Sequence, residues 1–288
     1  MSSQKYKSRS MLLTSVFIFG TIGILRRYIP LSSSLVALVR GVIGSLFLIL
    51  VLRFNKKGID KLAVQKNLLL LALSGAAIGF NWILLFEAYN YTSVATATLC
   101  YYLAPILVIL ISPIALKETL TKRKILCAIA ALAGMVLVSG VAEEGFAGIA
   151  EMRGILFGIG AAVLYASVIL MNKKMVGVSA YDKTIIQLSM ASIALLPYVL
   201  LTENWGVVTF SPLSVTLLLI AGIVHTGIAY WMYFGSMEHL SSHTVALLSY
   251  LDPILAILLS MVFLQEPMSV SAAIGAILIL GAAYLSEK

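Results

Sequence analysis

The chain is 288 residues long, 61% hydrophobic and only 11% charged, with a mean hydropathy of +1.03. So little charge cannot cover a soluble surface, which excludes an ordinary soluble enzyme or binding module and puts the chain in a lipid bilayer. The net charge of +8 would suit a nucleic-acid partner, but the basic residues are spread over the short connections between apolar runs, as a topology signal is, so no nucleic-acid role is read from them.

Ten apolar runs of about 17 to 24 residues, each able to cross about 30 Å of hydrocarbon as a helix, occupy residues 10–28, 33–53, 66–90, 93–115, 122–141, 153–175, 182–202, 212–236, 243–264 and 269–286. The expected fold is an all-α polytopic membrane protein of ten transmembrane helices. With the N-terminus inside, cytoplasmic segments hold Lys5, Lys7, Arg9, Arg53, Lys56, Lys57, Lys61, Lys66, Lys117, Lys122, Arg123, Lys124, Lys173, Lys174, Lys183 and Lys288, sixteen of the twenty basic residues. Arg26, Arg27 and Arg153 fall outside with Glu143, Glu144, Glu151 and Glu203. This bias places both termini in the cytoplasm of a multi-pass protein of a prokaryotic cytoplasmic membrane.

In chain order, the first run follows a basic segment without a small-residue cleavage site before Arg26 and Arg27, and reads as a retained helix. The second carries an internal arginine, Arg40, and the third Asn81, Trp82 and Glu87. Tyr101, Tyr102 and Pro105 lie in the fourth, with Cys100 beside them. Cys127 is in the fifth, and two cysteines without paired histidines make no metal site and read as small apolar filler. An acidic connection at 142–152 leads to the second half, where Gln187 in the seventh run falls near the position equivalent to Arg40. The eighth run holds His225, Trp231 and Tyr233; the ninth holds Tyr250, Asp252 and Pro253.

Gly79 to Ile129 superposes without a gap on Gly227 to Ile277, at a spacing of 148 residues. Roughly a third of the positions match, as an internal duplication produces. Shared residues include Gly79/Gly227, Phe86/Phe234, Thr96/Thr244, Tyr102/Tyr250, Pro105/Pro253, Ser112/Ser260 and Glu118/Glu266. The duplication divides the chain into a first five-helix repeat at 1–141, an external loop at 142–152 and a second repeat at 153–288. Five is odd, so the second copy is expected to enter the membrane the other way up. Close-spaced small residues, among them Gly75, Gly79, Gly134, Gly158, Gly275 and Gly281, are expected at helix contacts, because lipid supplies no hydrophobic drive between helices.

Tyr102-Leu-Ala-Pro105 followed by Leu116-Lys-Glu118-Thr-Leu-Thr121, its partner Tyr250-Leu-Asp-Pro253 followed by Leu264-Gln-Glu266-Pro, and Arg40 early in the chain resemble the drug/metabolite transporter superfamily of the EamA type. The resemblance covers essentially the whole chain. It implies ten helices in two inverted repeats around a central cavity, in an exporter of amino acids, metabolites or drugs. The chain departs from an even repeat after the glutamate, with Thr119-Leu-Thr121 against Pro267-Met-Ser269.

Features common to both copies serve the shared architecture, and positions where the copies differ in charge are the better site candidates. Pro105 and Pro253 read as mid-helix kinks or hinges, because proline removes a backbone hydrogen bond. Glu118 and Glu266 read as helix-connecting caps. Asp252 has Ala104 as its equivalent; an aspartate at bilayer depth costs about 3 kcal/mol on insertion scales and marks a function, here substrate binding and proton coupling. Glu87 stands opposite Gly235 and joins it in both roles, and His225 is a further proton-relay candidate. Arg40 is expected to hold a carboxylate, or to pair with Asp252 or Glu87. Asn81, Trp82, Tyr101, Tyr102, Trp231, Tyr233 and Tyr250 supply polar and aromatic walls.

No phosphate-binding loop of the G-x-x-x-x-G-K-[ST] kind occurs. The expected activity is secondary transport by alternating access: proton-coupled export of an amino acid or related zwitterionic metabolite. Facilitated uptake of a cationic amine, such as a quaternary ammonium compound like choline, is the alternative. An intramembrane enzyme is the distant one, since Asp252 has no second aspartate at depth and no G-x-S-x-G or H-E-x-x-H motif occurs. The expected partners are the substrate, protons and lipid, acting on a monomer without cofactor, metal or catalytic residues.

Overall fold

The structure is a computed structural model and describes residues 2–56, 58–91, 97, 100–139, 149–206, 208–252, 254–255 and 270–287. Among the described residues the only regular elements are helices. In order they are α1 (Ser2–Arg27), α2 (Ser33–Phe54), the short α3 (Lys61–Lys66), α4 (Leu68–Tyr91), α5 (Ala104–Leu116), α6 (Lys122–Ser139), α7 (Ile149–Lys174) and α8 (Ala180–Thr202). After them come α9 (Pro212–Gly222), a π-turn (Ile223–Ile228) running directly into α10 (Ala229–Ser236), α11 (Ser242–Ser249) and α12 (Val270–Glu287). The predicted loop at 142–152 falls outside the described residues as far as 148, and its last residues belong to α7.

Five described helices are long and apolar enough to cross a membrane: Ser33–Phe54, Leu68–Leu85, Met152–Lys174, Ala180–Thr202 and Pro212–Ser236, with Ala104–Leu116 and Ala273–Ala282 as shorter apolar helices. Their outward faces are themselves apolar. Leu201 is 86% exposed and Ile114 87%, a surface that water would penalise and acyl chains accept. Serines set the helix starts: Ser32, Ser179, Ser211 and Ser241 each accept a hydrogen bond from the backbone N–H three residues on, satisfying a donor that the first turn leaves without an intrahelical partner.

The helices form two compact units, and each draws on both halves of the sequence. One comprises Met1–Ile83 with Met171–His239, the other Leu84–Leu170 with Leu240–Lys288. In the first unit α2 and α8, counterparts in the repeat, run antiparallel: Ser32 before α2 donates to Glu203 after α8. At the opposite end Asp182 in the first turn of α8 accepts from the N–H of Asp60 at 3.4 Å. Glycine brings α4 onto α8; a Cβ on Gly75 would lie 2.6 Å from Met190 Cβ and 2.7 Å from the Gln187 carbonyl oxygen. The core around them is Leu12, Val16, Leu48, Leu71, Ile185, Leu188 and Phe234.

In the second unit α5 and α11, the later part of the fourth run and the earlier part of its counterpart, the ninth, also run antiparallel, with Tyr102 against Tyr250 at one end and Ser112 against His243 at the other. Gly134 of α6 meets the backbone of α12, where its Cβ would stand 2.7 Å from the Gly275 carbonyl oxygen. Gly281, expected at a helix contact, has nothing within 4 Å of a Cβ. Cys100 and Cys127 are buried, as small apolar filler should be.

The fourth predicted run is interrupted just ahead of its proline. Helix is interrupted at Tyr102–Leu103 and resumes at Ala104, so Pro105 stands in the first turn of α5. There its missing N–H leaves no helical bond unmade, which explains why the break falls just ahead of it. The ninth run shows the same interruption: α11 ends at Ser249, Tyr250 is its C-cap, and Leu251–Asp252 are helical again. Pro253 itself, like Glu266, lies outside the described residues.

Candidate functional site

The candidate residues gather in two places, one in each unit. In the first unit α2 carries Arg40 inward, and its guanidinium carbon lies 4.1 Å from the centroid of the Trp82 ring on α4, a cation–π contact in a buried setting. Trp82 Nε1 donates to the Tyr230 hydroxyl at 3.0 Å. Tyr230 is also edge-on to Phe19 and Phe234. Asn81 is buried beside Trp82 in sequence.

Trp231 follows Tyr230 by one residue, about 100° around the helix, and packs instead on Tyr181 of α8, with centroids 4.8 Å apart. His225 sits in the π-turn. Its Nε2 is 2.8 Å from Thr21 Oγ1, and Nδ1 is 3.5 Å from the Ile220 carbonyl oxygen. The Thr21 hydroxyl also lies 2.7 Å from the Ile18 carbonyl oxygen. The bond between His225 and Thr21 ties the π-turn to α1.

In the second unit the helix break presents Tyr102 to Asp252: the hydroxyl donates to Asp252 Oδ2 at 2.7 Å. Tyr250, wholly buried, donates its hydroxyl to the Tyr102 carbonyl at 2.9 Å. Tyr101 is edge-on to Tyr102 and stacks on Tyr165 of α7, at 5.4 Å and 17° between planes. A half-buried carboxylate thus stands at a helix discontinuity, hydrogen-bonded to one of a group of four tyrosines. Glu87, half-buried near the end of α4, belongs to this unit as well.

Tyr230, Phe19 and Tyr165 escaped the sequence reading. Tyr230 carried a usable signal: it is the repeat equivalent of Trp82, 148 residues on, as Tyr250 is of Tyr102. In each unit, then, one residue bonds to its own counterpart. Phe19 and Tyr165 have no such mark in the sequence.

A third group of polar side chains surrounds Glu118. Glu118, in the connection after α5, accepts the Ser242 N–H at 3.1 Å and the Ser242 hydroxyl at 2.6 Å. It therefore caps α11, as the helix-cap reading expected. His243 Nδ1 lies 2.9 Å from Glu118 Oε2 and 3.2 Å from Lys124 Nζ, while Nε2 is 2.8 Å from Ser112 Oγ. Burial pushes the Glu118 carboxyl up, but the hydrogen bonds from His243 and Ser242 outweigh it and hold the group at about 2. Serine, histidine and glutamate in a line suggest a nucleophile relay. Ser112 is wholly buried and its hydroxyl is directed at the Ile109 carbonyl, so the line ties α11 to α5 instead.

The profile of the EamA-like transporter family matches residues 8–140 and again residues 152–287. The chain belongs to the EamA-like transporter family, within the drug/metabolite transporter superfamily. It is 30% identical over 271 residues to the uncharacterized transporter YxxF of Bacillus subtilis (strain 168), covering 91% of this chain and 83% of that protein. It is 28% identical over 226 residues to protein PecM of Dickeya dadantii (strain 3937), covering 76% and 73%. A solved crystal structure superposes with a TM-score of 0.84 at 21% identity over 97% of this chain and 96% of that one, a likeness of fold. The protein is a multi-pass membrane transporter of a family with bacterial members.

Proposed function

We propose that this transporter is a secondary carrier of the cytoplasmic membrane that exports an amino acid or related small metabolite by alternating access, coupled to protons through Asp252. The observation that carries the reading is the carboxylate at the helix break, hydrogen-bonded to Tyr102. Discontinuous helices in corresponding positions of two repeats are where transporters of this kind bind substrate and coupling ion. A carboxyl there exchanges a proton for the Tyr102 hydrogen bond or for a substrate ammonium group.

Arg40 is proposed as a partner for a substrate carboxylate in the first unit, since a guanidinium holds carboxylates bidentately. Asn81, Trp82, Tyr101, Tyr102, Trp231 and Tyr250 are proposed to line the path, and Glu87 and His225 to assist proton movement. The antiparallel runs of α2 with α8 and of α5 with α11 support an inverted pair of five-helix repeats at 1–141 and 153–288. Ten spans, two cytoplasmic termini, a monomer and the absence of a cofactor belong to the same proposal.

Tyrosines 101, 102, 165 and 250 near Asp252 favour one second reading, facilitated uptake of a cationic amine, because stacked rings and a carboxylate are what a quaternary ammonium group binds. Counterflow in proteoliposomes, with and without an imposed pH gradient, separates the two. Proton movement driven by an amino acid supports coupled export; saturable amine exchange indifferent to the gradient would replace it with the uniporter.

A further inference from the structure

Away from both clusters, the end of α7, the loop to α8 and the turn after α10 border an open cavity of about 480 Å³ within the first unit. Lys173, Lys183, Ser179 and Glu238 are among its lining residues. Lys183 is only 3% exposed, yet its ammonium group is held by one long hydrogen bond, 3.4 Å to the Asn172 carbonyl oxygen. Lys173 donates to the Met237 carbonyl at 2.8 Å, and two charges act on Lys183 through space, the Glu238 carboxylate first and the opposing Lys173 ammonium second. Lys183 also lies in the first turn of α8, capped by Ser179, where the positive end of the helix dipole already stands.

Three sources of positive charge therefore meet at one cavity. Asp182 in the same turn is directed at the Asp60 backbone, leaving Glu238, exposed at the rim, as the acidic residue in the lining. The bias of basic residues toward cytoplasmic loops accounts for lysines in solvated connections. It does not account for one sealed from solvent beside a second, because burying a cation is costly and the carboxylate that offsets part of its charge, Glu238, stands exposed at the rim.

We propose that this cavity binds a phosphate-bearing anion, with phosphate oxygens taking the ammonium groups of Lys183 and Lys173 at the start of α8. Phosphate in this setting comes either from the headgroup of an anionic phospholipid, as basic pockets between membrane helices hold it, or from a soluble phosphate. The cavity is larger than a bare phosphate needs and lies at the end of the helices where basic connections gather.

The test is thermal unfolding of the purified full chain in detergent. One arm adds phosphatidylglycerol against phosphatidylcholine; the other adds inorganic phosphate against chloride at equal ionic strength. The expected result is saturable stabilisation in one arm, with apparent affinity weakened about tenfold by Lys183→Gln and by Lys173→Gln, the loss of one charge-assisted contact each. Glu238→Gln is expected to tighten it, because an opposing charge leaves the rim. Stabilisation by phosphatidylglycerol alone identifies the headgroup, and stabilisation by inorganic phosphate a soluble ligand. No saturable effect in either arm, or one unchanged in the lysine variants, overturns the proposal. Should Lys183→Gln fail to fold, the half-buried Lys173 and exposed Glu238 still decide it.

Discussion

In one unit Trp82 bonds to its repeat counterpart Tyr230 beneath an arginine; in the other Tyr102 bonds to its counterpart Tyr250 beside an aspartate. Residues that meet their own equivalents make a self-complementary contact, as identical subunits do across a two-fold interface. The aromatic pairs are thus what duplication supplies to both places. The charges are what each place adds alone: Arg40 in the first, and in the second Asp252, whose equivalent is Ala104. Each unit thus repeats the aromatic pair and sets a charge of its own beside it.

The largest test of this division sets Asp252→Asn against Arg40→Gln. Asparagine keeps the shape and the acceptor for Tyr102 but cannot exchange a proton, so transport driven by a pH gradient should vanish while expression and folding stay near normal. Glutamine at 40 should leave the pH dependence intact and raise KM for a carboxylate-bearing substrate roughly tenfold, the worth of a bidentate charge-assisted contact. Proteoliposome flux at several pH values reads both. Loss of pH dependence in the arginine variant, or its survival in the asparagine variant, would break the assignment of charges to roles.

The glycine contacts compare the units in stability rather than transport. Gly75→Ala and Gly134→Ala each force a methyl group to within 2.7 Å of a backbone oxygen, and each should cost about 1–3 kcal/mol by overpacking. Gly281→Ala meets nothing within 4 Å and should be neutral or stabilising by up to about 1 kcal/mol, alanine being the better helix former. Denaturant unfolding in detergent measures all three. A neutral Gly75→Ala would show that α4 and α8 have room to part.

Smaller effects distinguish the aromatic pairs themselves. Tyr102→Phe removes the donor to Asp252 and keeps the ring contacts with Tyr101 and Tyr250. The expected loss is about 1 kcal/mol, read as a displaced midpoint in the pH profile of transport. Trp82→Phe removes the donor to Tyr230 but leaves an aromatic face under Arg40, so a similar loss should appear in rate with the midpoint unmoved. A midpoint displaced equally by both would mean that the clusters do not divide the work.

Much of this was legible in the sequence, because hydropathy and a duplication at fixed spacing survive as patterns along the chain. Boundaries such as Ser33–Phe54 and Ala180–Thr202 follow directly from apolar length and a serine cap. The break at Tyr102–Leu103 was half visible: Pro105 announces a missing hydrogen bond, but whether the helix kinks or stops depends on a partner for the Tyr102 carbonyl, and that partner, Tyr250, is 148 residues away. A histidine in a short connection, as His243 is, looks solvated in a sequence; its partners Ser112 and Glu118 reach it only through the packing of α5 on α11. Lys183 was read as a topology signal for the same reason, since charge is visible in a sequence and enclosure is not.

The network around Glu118 belongs to the second unit, whereas in the first Glu203 meets Ser32 at the start of α2. The Glu118 carboxyl titrates at about 2 in the folded protein against an ordinary value near 4.5. The folded state therefore binds this proton more weakly than the unfolded chain does. Its contribution to stability is fully present above about pH 4.5 and is lost as pH falls through that range toward 2. Melting temperature in detergent should fall over that interval, and Glu118→Gln should flatten the fall while lowering stability at pH 7, because its amide can no longer give Ser242 two anionic acceptors. The effect should be modest, since the side chain is 20% exposed and water screens part of the interaction. An unchanged acid limb in Glu118→Gln would move the acid sensitivity to another carboxylate and leave α11 capped chiefly by Ser241, whose hydroxyl oxygen accepts the Thr244 N–H at 3.2 Å.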